Sequence, residues 1–151
     1  MRPDKDTWCL RLAALTAERA TCARRAVGCV LINSLGHVLA TGYNGPPRGF
    51  QHCTTDSPCG GAALPSGTGL EFCEAVHAEQ NALLQCKDVE FIDTCYVTTA
   101  PCVTCVKLLL NTGCRRIVFH DAYPHMAASY ELWVVRGARD WIKDSAEDQR
   151  I

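Results

Sequence analysis

The sequence predicts a three-layer α/β sandwich: a central mixed sheet of about five strands with helices on both faces. Three observations lead there. β-rich runs at 27–33 and 37–41 flank a four-residue turn, the pattern of an antiparallel hairpin. Beyond residue 76, strand-like and helix-like stretches alternate, which builds parallel strands joined by crossover helices. The 151 residues can bury one real core but not two, so 1–151 reads as a single domain.

Taken in order, residues 7–20 read as an amphipathic helix with Trp8, Leu12 and Leu15 on one apolar face. Asn33-Ser34-Leu35-Gly36 is the turn of the hairpin. From 44 to about 75 the chain is rich in Gly, Pro, Ser, Thr and Cys and has little periodicity. So long an irregular insertion is expected to be functional, or held by something other than a core. Residues 77–86 are helix formers and 94–99 form a strand. Residues 101–111 form a helix that begins with a proline suited to the first helical position and is closed by Gly113. A further strand covers 115–120. Residues 126–135 are expected to be helical, their aromatics and valines leaving a strand open for the last few positions, and 144–151 is a polar tail.

Composition narrows the function. Apolar residues make up 48% of the chain and charged ones 21%, an ordinary globular balance. The formal net charge of −1 gives no general attraction to phosphate polymers, so electrostatics supplies no argument for a nucleic-acid partner. No apolar run is long enough to span a membrane. The first fifteen residues carry Asp4, Asp6 and scattered arginines, so secretion is not expected and a cytoplasmic setting is. In that setting an odd number of cysteines, eleven, points to metal ligands and buried thiols, not disulfides.

Spacing picks out the ligands. His77-Ala78-Glu79 stands about two dozen residues before Pro101-Cys102-Val103-Thr104-Cys105. Cys102 and Cys105 are three apart at a helix start, so both sulfurs face one way. The helix N-terminus favours the thiolates that metal binding needs. His77, also at a helix start, supplies a third ligand. Zinc takes sulfur and imidazole nitrogen in a tetrahedron, and three protein ligands leave its fourth position for water. Bound zinc lowers the pKa of that water toward roughly 7, so hydroxide is available at neutral pH. Glu79, two residues past His77, faces a substrate better than it closes the tetrahedron. It can take the water's proton, protonate N3 of a cytosine, and carry a proton to departing ammonia. Alone, C-x-x-C is equally a redox pair or half a zinc ribbon, and H-x-E carries little. In this order, each before a helix, they form the signature of zinc deaminases.

From Thr21 to Tyr123 the chain resembles the dCMP (deoxycytidylate) deaminase family, within the wider cytidine and deoxycytidylate deaminases. The resemblance rests on His77-Ala78-Glu79-Gln80-Asn81-Ala82, on Pro101-Cys102-x-x-Cys105, on Thr21-Cys22-Ala23-Arg24 leading into Val27-Gly28, and on Tyr96-Val97-Thr98. Thr41-Gly42-Tyr43-Asn44-Gly45, followed by Pro47 and Gly49, separates this family from cytidine and tRNA adenosine deaminases. The resemblance implies a catalytic zinc on His77, Cys102 and Cys105, with Glu79 as proton shuttle. It implies conversion of dCMP to dUMP and ammonia, supplying dUMP for dTMP synthesis, with Asn44 holding the deoxyribose and Ala78 and Thr98 near the substrate. Arg24 is the first candidate for the 5′-phosphate because the resemblance extends to that position, and a planar guanidinium suits phosphate. Tyr123 assists, and Arg25 and Arg48 are weaker candidates. The resemblance further implies a hexamer, dCTP and dTTP as effectors (Mg²⁺ arriving with the triphosphate), and Gly42, Tyr43 and Gly45 in that regulation.

A second, structural zinc is expected in the central insertion. A glycine-rich loop with little apolar content needs a clamp, and a closed four-thiolate site supplies one. Cys22, Cys53, Cys59 and Cys73 are the expected ligands, with His52 in reserve; separate thiols are the plainer alternative. Cys9, Cys29, Cys86, Cys95 and Cys114 read as small core hydrophobes. His37, His120 and His125 lack partner spacing. The faces around Trp8, Leu108 to Leu110 and Trp133 read as core or subunit interface.

Three other functions use the same residues. A dCTP or dual-specificity deaminase differs only at the pocket mouth. A tRNA or single-stranded-DNA deaminase needs a basic, aromatic strand channel that the charge does not suggest. A non-catalytic zinc module would dispense with Glu79, which this chain keeps.

Overall fold

A computed structural model describes residues 1–62, 74–124 and 126–144. Helix α1 (Lys5–Ala17) starts two residues before its expected position because Asp4 caps it, its carboxylate accepting from the Thr7 N–H at 2.8 Å. The hairpin follows as β1 (Gly28–Ile32) and β2 (Val38–Tyr43), paired antiparallel. Its turn is built as expected: the Asn33 side chain accepts from Leu35 N and His37 N, and Gly36 has φ +84°.

After the insertion come α2 (Ala78–Gln85), a 3₁₀ turn (Val89–Phe91), β3 (Thr94–Thr99), α3 (Val103–Leu110) and β4 (Arg116–Asp121). Helix α4 (Met126–Tyr130) runs on into a π-helical stretch (Glu131–Arg136), and β5 (Asp140–Lys143) completes the sheet. Strand order is β2-β1-β3-β4-β5. β1 pairs antiparallel with β2 and β3, while β3, β4 and β5 are parallel. The expected mixed sheet, parallel in its later strands, is present.

Period-two alternation divides the core. Cys29, Leu31, Cys95, Val97, Ile117 and Phe119 face one way and pack with Ala78 and Ala82 of α2, Val106 and Leu109 of α3, and Trp133. Val30, Ile32, Tyr96 and Val118 face the other way and pack under Cys9, Leu10 and Ala13 of α1. All five residues of β1 are buried, as a strand covered on both faces must be.

Three expectations are corrected. Of the expected apolar face of α1, Leu12 packs against the core but Trp8 and Leu15 do not: Trp8 is 44% and Leu15 49% exposed, and the helix buries Cys9, Leu10, Ala13 and Ala17. Small residues won because Gly28 lies against the helix backbone, where an added Cβ would sit 1.9 Å from the Ala13 carbonyl oxygen. The helix expected over 126–135 is present but the strand left open at its end is not; the fifth strand is Asp140–Lys143. Trp133 instead buries fully from the helix and donates to the Asp140 carbonyl at 2.7 Å, fixing where the last strand begins. Gly113 does not close α3, whose C-cap is Asn111; it lets the chain pass the 3₁₀ turn, where a Cβ would meet the Glu90 carbonyl oxygen at 2.0 Å.

Candidate active site

The cleft lies where the N-termini of α2 and α3 converge beside the carboxyl end of β3, the usual ligand crevice of an open α/β sheet. His77 is the N-cap of α2 in extended backbone, and its N–H donates to the Gln80 side chain at 2.8 Å. Cys102 is the N-cap of α3, not its second residue, so Pro101 stands just outside the helix. The extended backbone of Cys102 lets its sulfur turn toward His77. Cys102 Sγ and Cys105 Sγ lie 3.4 and 3.3 Å from His77 Nδ1. Among the described residues, this is the group of three ligand atoms gathered within 4.8 Å. Two sulfurs and an imidazole nitrogen so placed fit zinc, with a fourth position left for a non-protein ligand.

Electrostatics sort these groups into roles. The hydrogen bond from Cys105 and the neighbouring His77 pull the Cys102 thiol down to about 4, while the same pairing and burial push Cys105 up. Hydrogen bonding to Cys102 raises His77 despite its burial. Glu79, only 4% exposed, is pushed up to about 7 by desolvation, against the favourable charge of His77. A buried carboxyl poised near neutrality beside a metal-ligand cluster is the setting for proton transfer.

The cleft has an empty volume of about 650 Å³, open side included. His77, Ala78, Glu79 and Cys102 line it, together with Arg24, Arg25, Asn44 and Tyr123. The sequence had singled out each of these. It had also assigned Thr98, but Thr98 Oγ1 accepts from Gly28 N at 3.2 Å, and Thr99 lines the cleft instead. Alternation along β3 holds the signal: Thr99 shares the face of Cys95 and Val97, which pack toward α2 and α3. Ala100, Val27 and Ala75 also line the cleft and carried no chemical signal.

The remaining assignments scatter. Cys22 lines the active-site cleft. Cys53 is buried, its N–H donating to the Thr21 carbonyl at 3.1 Å and its sulfur accepting from Cys59 N at 3.4 Å. The described thiols Cys22, Cys53 and Cys59 thus share a neighbourhood without forming a three-ligand cluster, and Cys73, like His125, lies outside the described residues. Tyr43, Gly45, Arg48 and His52 line a second cleft, which also touches Asn81 of α2. Gly42 packs beneath α2, where a Cβ would lie 2.3 Å from the Ala78 carbonyl oxygen. The ends of the insertion are tied by a backbone bridge between Gly45 and Val76.

This zinc-ligand geometry on this sheet defines a class, and comparison with known proteins gives the family. Residues 3–121 match the model of the cytidine and deoxycytidylate deaminase zinc-binding region, and the chain belongs to that family. It is 40% identical over 123 residues to the deoxycytidylate deaminase of Mycobacterium phage D29, covering 78% of this chain and 95% of that protein. It is 38% identical over 125 residues to the deoxycytidylate deaminase of Schizosaccharomyces pombe, covering 81% of this chain but only 38% of that longer protein. The fold matches the crystal structure of dCMP deaminase from cyanophage S-TIM5 in complex with dCMP and dUMP. That match has a TM-score of 0.73 at 22% identity and covers 95% of this chain and 99% of that one. No helix among the described residues is long and apolar enough to cross a membrane.

Proposed function

We propose that this domain hydrolyses the 4-amino group of a deoxycytidine nucleotide, with dCMP as the preferred substrate, to give dUMP and ammonia. The observation that carries the reading is the buried Glu79 beside the His77, Cys102 and Cys105 cluster, in an open cleft that Arg24 and Arg25 also line. Relatives named deoxycytidylate deaminase at 38% and 40% identity support the substrate class.

His77, Cys102 and Cys105 would hold the metal. Zinc, when bound, supplies a water acidic enough to act as nucleophile near neutral pH. Glu79 would take the proton of the nucleophile that adds to C4 and deliver it to ring nitrogen N3. It then carries a proton to the amino group as the C4–N bond breaks and the carbonyl forms. Burial keeps bulk water from competing for these transfers. Ala78 and Thr99 shape the ring pocket, and Asn44 reaches the deoxyribose. Arg24, with Arg25 and Tyr123, receives the 5′-phosphate.

We assign a second zinc to Cys22, Cys53, Cys59 and Cys73, clamping the 44–75 insertion of a single 1–151 domain. The neighbourhood of the first three supports it. The cleft beside Tyr43 and Gly45 takes dCTP or dTTP with Mg²⁺, in a cytoplasmic homohexamer. The test is deamination by zinc-loaded protein of deoxycytidine, dCMP, dCTP, CMP and a cytosine-containing single strand, with and without both effectors. Turnover confined to deoxynucleotides and highest with dCMP is the expected result; turnover of the strand alone would replace this reading with a polynucleotide one.

A further inference from the structure

The two arginines that line the cleft lie on a segment, 21–27, without helix or strand. An irregular segment has no ladder to satisfy its backbone groups, so its geometry depends on whatever pairs them. Here one residue does much of this. The Asn44 carbonyl accepts from Thr21 N at 3.0 Å, and its N–H donates to the Val27 carbonyl at 3.3 Å. Its side chain then repeats the pattern. Asn44 Oδ1 accepts from Val27 N at 2.8 Å, and Asn44 Nδ2 donates to the Arg25 carbonyl at 2.6 Å. Four hydrogen bonds from one residue bracket Arg24 and Arg25 on both sides.

We propose that Asn44 is the positioning residue for phosphate recognition, holding the Thr21–Val27 segment so that its arginines line the cleft. The chemistry selects asparagine. Bridging Val27 N–H and Arg25 C=O takes one acceptor and one donor on a single short planar group, which a side-chain amide supplies as a peptide unit would. An aspartate would set a second carboxylate oxygen against the Arg25 carbonyl, and serine could not span both. One amide proton and one lone pair of Asn44 stay available to the cleft. Sugar contact and arginine placement therefore converge on one side chain, and the enzyme distinguishes a nucleotide from a nucleoside partly through a residue that does not touch the phosphate.

This inference rests on the deaminase reading, and the experiment separates the two. Steady-state kinetics on dCMP and deoxycytidine are measured for zinc-loaded wild type, Asn44→Ala, Arg24→Ala and the double variant. The expected result is a fall of about tenfold or more in the dCMP-to-deoxycytidine ratio of kcat/KM in Asn44→Ala, with the loss in KM for dCMP. Adding Asn44→Ala to Arg24→Ala should then lower that ratio less than Asn44→Ala lowers it in wild type, since the two act partly through one contact. An unchanged ratio, or additive losses, would overturn the inference and leave the deaminase standing. Inactivity of wild type on both substrates would overturn both. Hydrogen exchange on the ligand-free wild type does not depend on how the variants fold: a slowly exchanging Val27 amide is expected, and a freely exchanging one contradicts the proposal.

Discussion

The two faces of the sheet are built by the same physics and do different things. On the α1 face, the half-buried charged groups answer one another. Tyr96 Oη donates to Asp6 at 2.6 Å, and Arg116 reaches the other Asp6 oxygen at 3.2 Å and Thr94 Oγ1 at 3.3 Å. On the α2/α3 face, Glu79 is more deeply buried than Asp6 and has no guanidinium, so its carboxyl is pushed up to about 7. A half-buried charge with an ionic partner fastens layers together. A buried one left at the edge of its ionisation, beside three side chains that could hold a metal, is positioned for chemistry.

Variants on each face sharpen that contrast. Cys102→Ser on the site face removes one of three zinc ligands and should abolish stoichiometric zinc at the catalytic site, with turnover falling to background; metal analysis by mass spectrometry and an ammonia-release assay check it. Gly42→Ala pushes against the backbone of α2 at Ala78, next to Glu79. It should cost about 1–3 kcal/mol by chemical denaturation and lower kcat as well. Asp6→Ala leaves Tyr96 and Arg116 unanswered and should cost about 1–2 kcal/mol, yet leave kcat/KM within about twofold; a larger catalytic loss would break the division between the faces. Trp8→Ala, on the exposed side of α1, should alter monomer stability by less than about 0.5 kcal/mol. A substantially larger loss would show that this side chain is covered in solution.

The site was more legible than the fold's details because its signal is chemical identity at fixed spacing. His77, Glu79, Cys102 and Cys105 announce themselves by residue type, and their helix starts are marked by Gln80 and Pro101. The packing surfaces are chosen by volume and close approach, which composition does not display. Trp8 and Leu15 look like a core face until Gly28 brings the backbone of α1 onto β1 at Ala13 and Ala17. The fifth strand was missed because four residues with Lys143 at the end give little periodicity, and its start is set by a tertiary bond from Trp133. Thr99 was within reach: counting by twos from Val97 finds it.

The central claim is that Glu79 moves the protons of a hydrolytic deamination and does not hold the fold or the metal. The most direct test is ammonia release from dCMP by wild type and Glu79→Gln at matched zinc content and matched melting temperature. A loss of about 10²-fold or more in kcat, with zinc and stability unchanged, is the predicted result. Near-normal turnover by the glutamine variant would contradict it.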